Sequence, residues 1–189
     1  MGLNAQPSGE RVHIGFFGLR NAGKSSVVNR VTGQTLSIVS DVKGTTTDPV
    51  QKAMELLPIG PVVIVDTPGI DDEGTLGEER VRRALRVLEK TDIAVLVTDS
   101  TRGLQPAEQE LLELFRKREI PFVIAHNKAD LTSVPAAMPE NEIYVSAAAD
   151  SNIRELKELI ARAVKPTEPE KRLVADLLAP NDTVVLVVP

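Results

Sequence analysis

Cysteine is missing from this chain altogether. Its absence excludes disulfides, and with them any iron–sulfur or zinc site built on thiolates of these residues. Long apolar runs are missing too. No stretch approaches the roughly 18 uninterrupted apolar residues that a membrane helix needs, so no membrane span is expected. The leader Met1 to Glu10 is polar and has no apolar signal segment. Gly2 would suit N-myristoylation, but Gln6 stands where Ser or Thr is wanted. A cytoplasmic protein without a membrane partner is the expectation. An excess of basic residues is also lacking: the net charge is −5 and the pI about 5.2. That argues against broad electrostatic binding to nucleic acid, so no nucleic-acid partner is expected.

What is present is ordinary soluble material, with 42% hydrophobic and 26% charged residues in 189. That length allows one domain of about 150 residues plus an appendage. A domain of that size buries roughly 70% of its unfolded-chain surface and needs no staple.

One stretch organises the rest. Gly18-Leu19-Arg20-Asn21-Ala22-Gly23-Lys24-Ser25 matches G-x-x-x-x-G-K-[ST], the phosphate-binding loop of nucleotide hydrolases. Before it, Arg11 to Gly18 reads as a buried strand; after it, Lys24 to Thr32 reads as a helix. Backbone N–H groups from Ala22 to Ser26 would then wrap the phosphates at a helix N-terminus. Lys24 would reach the β- and γ-phosphates, and the Ser25 hydroxyl would bind Mg²⁺.

Further along, Gly33 to Val50 is a long polar loop, the sort that tends to be functional. Gln51 to Leu57 reads as an edge strand, Pro58 to Pro61 as a turn, and Val62 to Val65 as a buried strand. Asp66-Thr67-Pro68-Gly69 follows directly. A phosphate site needs a carboxylate there for Mg²⁺ and a glycine N–H for the γ-phosphate, which assigns Asp66 and Gly69; a plain strand-ending turn is the other reading. Helices are predicted over Glu78 to Lys90, Pro106 to Glu119 and Ile153 to Val164. Strands are predicted over Ile93 to Val97, Phe122 to Ala125 and Ile143 to Val145. Alternating strands and helices imply an α/β fold, a mostly parallel sheet of six strands covered on both faces. Every motif follows a strand, where ligands of such sheets bind.

Asn127-Lys128-Ala129-Asp130 selects the base. Guanine offers two adjacent N–H groups on its Watson–Crick edge, and one carboxylate accepts from both. Asp130 therefore argues for guanine over adenine. Asn127 could tie the loop to the base, and the Lys128 stem could lie along the ring. Both motifs arising by chance, in this order and each after a strand, is expected in on the order of one chain in ten thousand.

At this point the chain resembles the translation-factor-like P-loop GTPases over about residues 11 to 165, with a Ras-like fold. The resemblance implies five motifs. Beyond those above, Thr46 in Gly44 to Asp48 matches the Mg²⁺-binding threonine. Ser146-Ala147-Ala148 is similar to the loop whose backbone meets the guanine oxygen. Asn21 and the segment Ser37 to Gly44 look like the TrmE, Era and Der branch. There, a matching asparagine and loop carbonyls, here those of Ser40 and Val42, bind K⁺ beside the phosphates in place of an arginine finger. Ile70 stands where many GTPases carry a water-orienting glutamine, and Glu78 or Glu79 could take that duty or simply complement the helix dipole. Slow, K⁺-activated hydrolysis of GTP to GDP is implied.

Leu173 to Pro189, together with the phosphate loop, closely resembles the [FeFe]-hydrogenase maturation GTPases (HydF). That resemblance implies a GTP-binding domain over 9–166, and a linker with the opening of a dimerisation-type domain over 167–189. The cluster-binding domain would lie further on. It also implies a homodimeric full-length protein acting in assembly of the hydrogenase H-cluster, with the hydrogenase and radical-SAM maturases as partners. A lone apolar strand at Thr183 to Val188 needs a partner, and a fragment of a longer protein is the expectation. A nucleotide-gated interaction module, and a GTPase of tRNA modification or ribosome assembly, are the alternatives.

Overall fold

The structure, a computed structural model, describes residues 11–33, 50–66 and 77–164. The chain runs β1 (Val12–Phe17), α1 (Lys24–Thr32), β2 (Val50–Leu56), β3 (Gly60–Asp66), α2 (Gly77–Leu88) and β4 (Ile93–Asp99). It continues through α3 (Pro106–Lys117), β5 (Phe122–Asn127), a 3₁₀ turn (Ala129–Leu131), β6 (Glu142–Tyr144) and α4 (Ile153–Ala163). The six strands form one sheet in the order β2-β3-β1-β4-β5-β6. All neighbours are parallel except β2 and β3.

The central strands are apolar on both faces because both faces are covered. Every residue of β4 is buried. Alternation along β1 sends Phe16 to one face and Phe17 to the other. The Phe16 face packs against Val27, Val28 and Val31 of α1 and Ile153, Leu156 and Ile160 of α4. The Phe17 face packs against Ala84, Val87 and Leu88 of α2 and Leu111, Leu112 and Phe115 of α3. The Phe17 and Phe115 rings meet in a tilted pair with centroids 5.0 Å apart. Along α2 the buried residues Ala84, Val87 and Leu88 follow the helical period.

The largest difference from the sequence reading is at the β2–β3 connection. Gly60 and Pro61 belong to β3 and not to the turn. Pro61 is tolerated because β1 begins pairing with β3 only at Val62, so its missing N–H removes no bond on that side. Other boundaries move by one or two residues, as fraying ends do. The predicted loop 34–49, the acidic loop 70–76 and the segment 167–189 lie outside the described residues.

Candidate functional site

β1 delivers the chain into the phosphate loop against the neighbouring backbone. A Cβ on Gly18 would stand 2.4 Å from the Val97 carbonyl oxygen, so only glycine fits there. Gly23 closes the loop with φ +85° and is the N-cap of α1. No side chain caps that helix and no acidic residue lies in its first turn. The dipole of a helix that starts this way favours an anion beside its first turn. Ala22 is buried, while Asn21, Ser25 and Ser26 are exposed on the rim. Asn21 takes a left-handed φ of +66°, which asparagine tolerates.

The loops after β5 and β6 are tied to the phosphate loop by the Asn127 side chain. Asn127, at the end of β5, is 3% exposed. Its Nδ2 donates to the Ala22 carbonyl at 2.9 Å, and its Oδ1 accepts from the Ala147 N–H at 3.1 Å. A single amide thus spans the phosphate loop and the 146–148 loop. A Cβ on Gly23 would come within 2.3 Å of the Asn127 Nδ2, so the second invariant of the loop motif makes room for this clamp.

Asp130 is exposed at the 3₁₀ turn, and its Oδ1 accepts a short hydrogen bond from the Ser146 hydroxyl. The Ser146 Oγ in turn accepts from the Ala149 N–H at 3.0 Å. A carboxylate oxygen has two lone pairs, so Asp130 held this way still presents acceptors to two adjacent N–H groups. Ser146 therefore acts through its side chain, orienting Asp130, and not only through backbone. Ala148 is exposed beside it. The Ala147 carbonyl accepts from the Arg30 Nε of α1 at 2.9 Å, a support that no local motif announced.

Lys128 leaves β5 with φ +66° and reaches Asp99 of β4, Nζ to Oδ2 2.6 Å. Burial alone would raise the Asp99 pKa. Hydrogen bonds from Lys128 and Thr101, with the Lys128 charge, outweigh it and bring the group down to about 2. Asp99 was missed in the sequence, although it ends a buried strand just as Asp66 does. His126 shares hydrogen bonds with Thr98 and Glu142, both at 2.9 Å, and stacks on Tyr144. His13 pairs with Asp92. Both histidines are thus held by side-chain partners within the fold. Arg20 is exposed.

Asp66 ends β3 in register with Phe16 of β1, which brings its backbone beside the entry to the phosphate loop. Ser25 stands in the first turn of the helix that follows that loop. Carboxylate and hydroxyl are the hard oxygen donor types that Mg²⁺ takes alongside phosphate oxygens. Glu78 lies in the first turn of α2. Thr46, Gly69, Ser40 and Val42 lie outside the described residues. Among the described residues no helix is long and apolar enough to cross a membrane.

A G-x-x-x-x-G-K-S loop after the first strand, clamped by Asn127 in a mostly parallel six-stranded sheet, defines a P-loop GTPase domain. Residues 13–128 match the 50S ribosome-binding GTPase family, and the chain belongs to that family, the group of TrmE, Era and Der-like GTPases. The tRNA modification GTPase MnmE of Legionella pneumophila (strain Paris) is 36% identical over 155 residues, 80% of this chain and 34% of that protein. GTPase Der of Maridesulfovibrio salexigens is 42% identical over 125 residues, 64% of this chain and 27% of that protein. The chain therefore spans about a third of the length of the curated relatives it matches. Era from Aquifex aeolicus, solved with GDP and AlF₄⁻, superposes with a TM-score of 0.64 at 27% identity, over 84% of this chain and 58% of that one. Another Era structure, holding MgGDPNP and nucleotides 1506–1542 of 16S ribosomal RNA, superposes equally well at 28% identity, with the same coverage of both chains.

Proposed function

We propose that this chain is the slowly hydrolysing, K⁺-activated GTP switch of a larger assembly protein. The observation that carries this reading is the Asn127 clamp, which couples the phosphate loop to the guanine loop in one hydrogen-bonded unit. Lys24 and the first-turn amides of α1 hold the β- and γ-phosphates. Asp130 and the 146–148 loop hold the base. Ser25, Thr46 and Asp66 would hold Mg²⁺. Asn21, with the carbonyls of Ser40 and Val42, would hold K⁺, and an exposed asparagine amide on the loop rim suits that ion. When bound, the two cations would offset the negative charge that develops on the phosphate oxygens during hydrolysis. The Gly69 N–H would meet the γ-phosphate, and Glu78 would orient the attacking water in place of the glutamine that Ile70 replaces. Turnover in the unassisted range of about 10⁻⁴ to 10⁻² s⁻¹ is expected. Steady-state GTP hydrolysis in K⁺ against Na⁺, for the parent and Asn21→Ala, tests this. Equal rates in the two salts for the parent would remove the K⁺ site.

For the setting, we infer cytoplasmic assembly of the [FeFe]-hydrogenase H-cluster, in a homodimeric full-length protein with radical-SAM maturases as partners. The resemblance of residues 173–189 to that family supports it. With no cysteine in the sequence, any cluster would be held elsewhere. The MnmE and Der relatives favour a second reading, a GTPase of tRNA modification or ribosome assembly, in which RNA is a partner. Deleting the gene separates the two: loss of hydrogen evolution with intact tRNA modification and ribosome profiles supports the first, and the reverse result supports the second.

A further inference from the structure

We propose that Asp99 is a positioning residue of the guanine site, laying the Lys128 side chain across the crevice floor before nucleotide arrives. The inference rests on the guanine reading above. Asp99 is the last residue of β4 and pairs in register with Asn127 of β5, one residue from Lys128. The Ser100 N–H then donates to the Asn127 carbonyl at 2.9 Å and prolongs the ladder. Asp99 therefore stands between the strand that feeds the phosphate loop and the strand that feeds the base loop.

The two oxygens of its carboxylate are divided between two tasks. Oδ1 accepts from the Thr101 N–H at 3.0 Å and from the Thr101 hydroxyl at 2.6 Å, a turn that orients the carboxyl group. Oδ2 receives Lys128 Nζ at 2.6 Å, with Arg102 Nε at 3.4 Å. A turn of this sort needs only one side-chain oxygen, so asparagine would serve it equally well. The charge is required only by the cations on Oδ2. A carboxylate whose side chain is 7% exposed is costly unless paired, so the site is built around its ion pair. The lysine side chain stays 32% exposed although its ammonium is tied to the buried Asp99, so part of it is open to a ligand. Lys128 also accepts a left-handed backbone, a conformation that a lysine adopts at a cost. A lysine stem fixed in advance loses little rotamer freedom when a base settles on it, which is how preorganisation strengthens binding.

The test is a binding cycle on the 189-residue chain, read by displacement of a fluorescent GDP. Asp99→Asn keeps the turn and removes the charge. It is expected to weaken GDP by about 10-fold, the order of one immobilised side chain, while leaving the affinity for inorganic pyrophosphate unchanged. Lys128→Met is expected to weaken GDP by a similar factor. Asp99→Asn added to Lys128→Met should then cost less than about 2-fold, because both changes remove one device. Thr101→Ala, a milder change, should weaken GDP about 3-fold with the same dependence on Lys128. If Asp99→Asn costs its full 10-fold in the Lys128→Met background, or weakens pyrophosphate equally, Asp99 is structural and the proposal is overturned. An Asp99→Asn variant that binds GDP as the parent does overturns it as well. A parent chain that does not prefer GDP to ADP overturns the guanine reading on which it rests, and the two failures are told apart by that control.

Discussion

At the base end of the crevice, Asn127, Ser146, Asp130, Lys128 and Arg30 are joined by side-chain hydrogen bonds to groups on other elements. At the phosphate end, Asn21, Ser25 and Ser26 are exposed, and the shape is carried by backbone: Gly18 against Val97, Gly23 in a left-handed turn, an uncapped helix start. The base end is thus set before a ligand arrives, because hydrogen bonds between protein groups hold it. The phosphate end is shaped by backbone, and the helix start favours an anion there. A fixed reader of the base and an open receiver of the phosphates suit a protein that must bind guanine nucleotides in either state yet respond to one phosphate.

The contrast predicts different failures at the two ends. Lys24→Ala should act on the phosphate end alone, lowering kcat for GTP by about 10²–10³-fold, as loss of one charge-stabilising donor does. Single-turnover kinetics at saturating GTP would read this, and an unaltered rate would remove Lys24 from the chemistry. Asn127→Ala should act at both ends. It leaves a buried Ala22 carbonyl and Ala147 N–H without their partner, at about 1–3 kcal/mol of stability each, and if about 2 kcal/mol of that falls on the nucleotide-bound arrangement GDP should bind roughly 30-fold more weakly. Thermal stability should fall in the same variant, which calorimetry would show.

Gly23→Ala joins the two ends by another route. The new methyl would meet the Asn127 amide at 2.3 Å on a backbone at φ +85°. Strain of about 1–3 kcal/mol is expected, less than the loss in Asn127→Ala. Guanine selectivity should decline with it, since the clamp must shift. If Gly23→Ala binds GDP as tightly as the parent, the clamp is not the link between loops.

How much of this the sequence disclosed depends on the range of each interaction. The phosphate loop, the Asn127–Asp130 turn and the buried strands were readable, because glycine spacing and apolar periods are local signals. So was the parallel sheet, because strands and helices alternate. Asp99 was not, since its partner Lys128 is 29 residues away and a strand-ending Asp is common. Arg30 was not, since it meets Ala147 at a separation of 117 residues from what reads as an ordinary helix face. Gly60 and Pro61 were misassigned because turn composition outweighed the pairing of β3 with β2, which a local reading does not contain. Side chains placed by tertiary approach leave no local pattern, and Asp99 and Arg30 share that cause.

Smaller effects should follow from two carboxylates of the β4–α3 connection, which differ in sign. The Asp99 carboxyl is held down at about 2 by its partners, against 3.8 when free. The net lowering by Lys128 and Thr101 against burial is worth about 2 kcal/mol above the unfolded pKa, and that stability is lost as the pH falls through about 4 to 2. Glu108 is the opposite case. It is 1% exposed in the first turn of α3, where it accepts the Gln105 N–H at 2.8 Å. Burial raises its pKa, with the Gln105 hydrogen bond and the nearby Arg102 and His126 opposing in part. A raised carboxyl favours the folded state while protonated, so this contribution is present below about 4.5 and lost as the pH rises through the folded value. Glu108→Gln keeps an oxygen to accept the Gln105 N–H, and glutamine serves that capping position as glutamate does. It should therefore be more stable than the parent at pH 8, with the difference closing toward pH 4, as urea melts across that range would record. A constant difference at every pH would mean that Glu108 acts by packing and not by its charge.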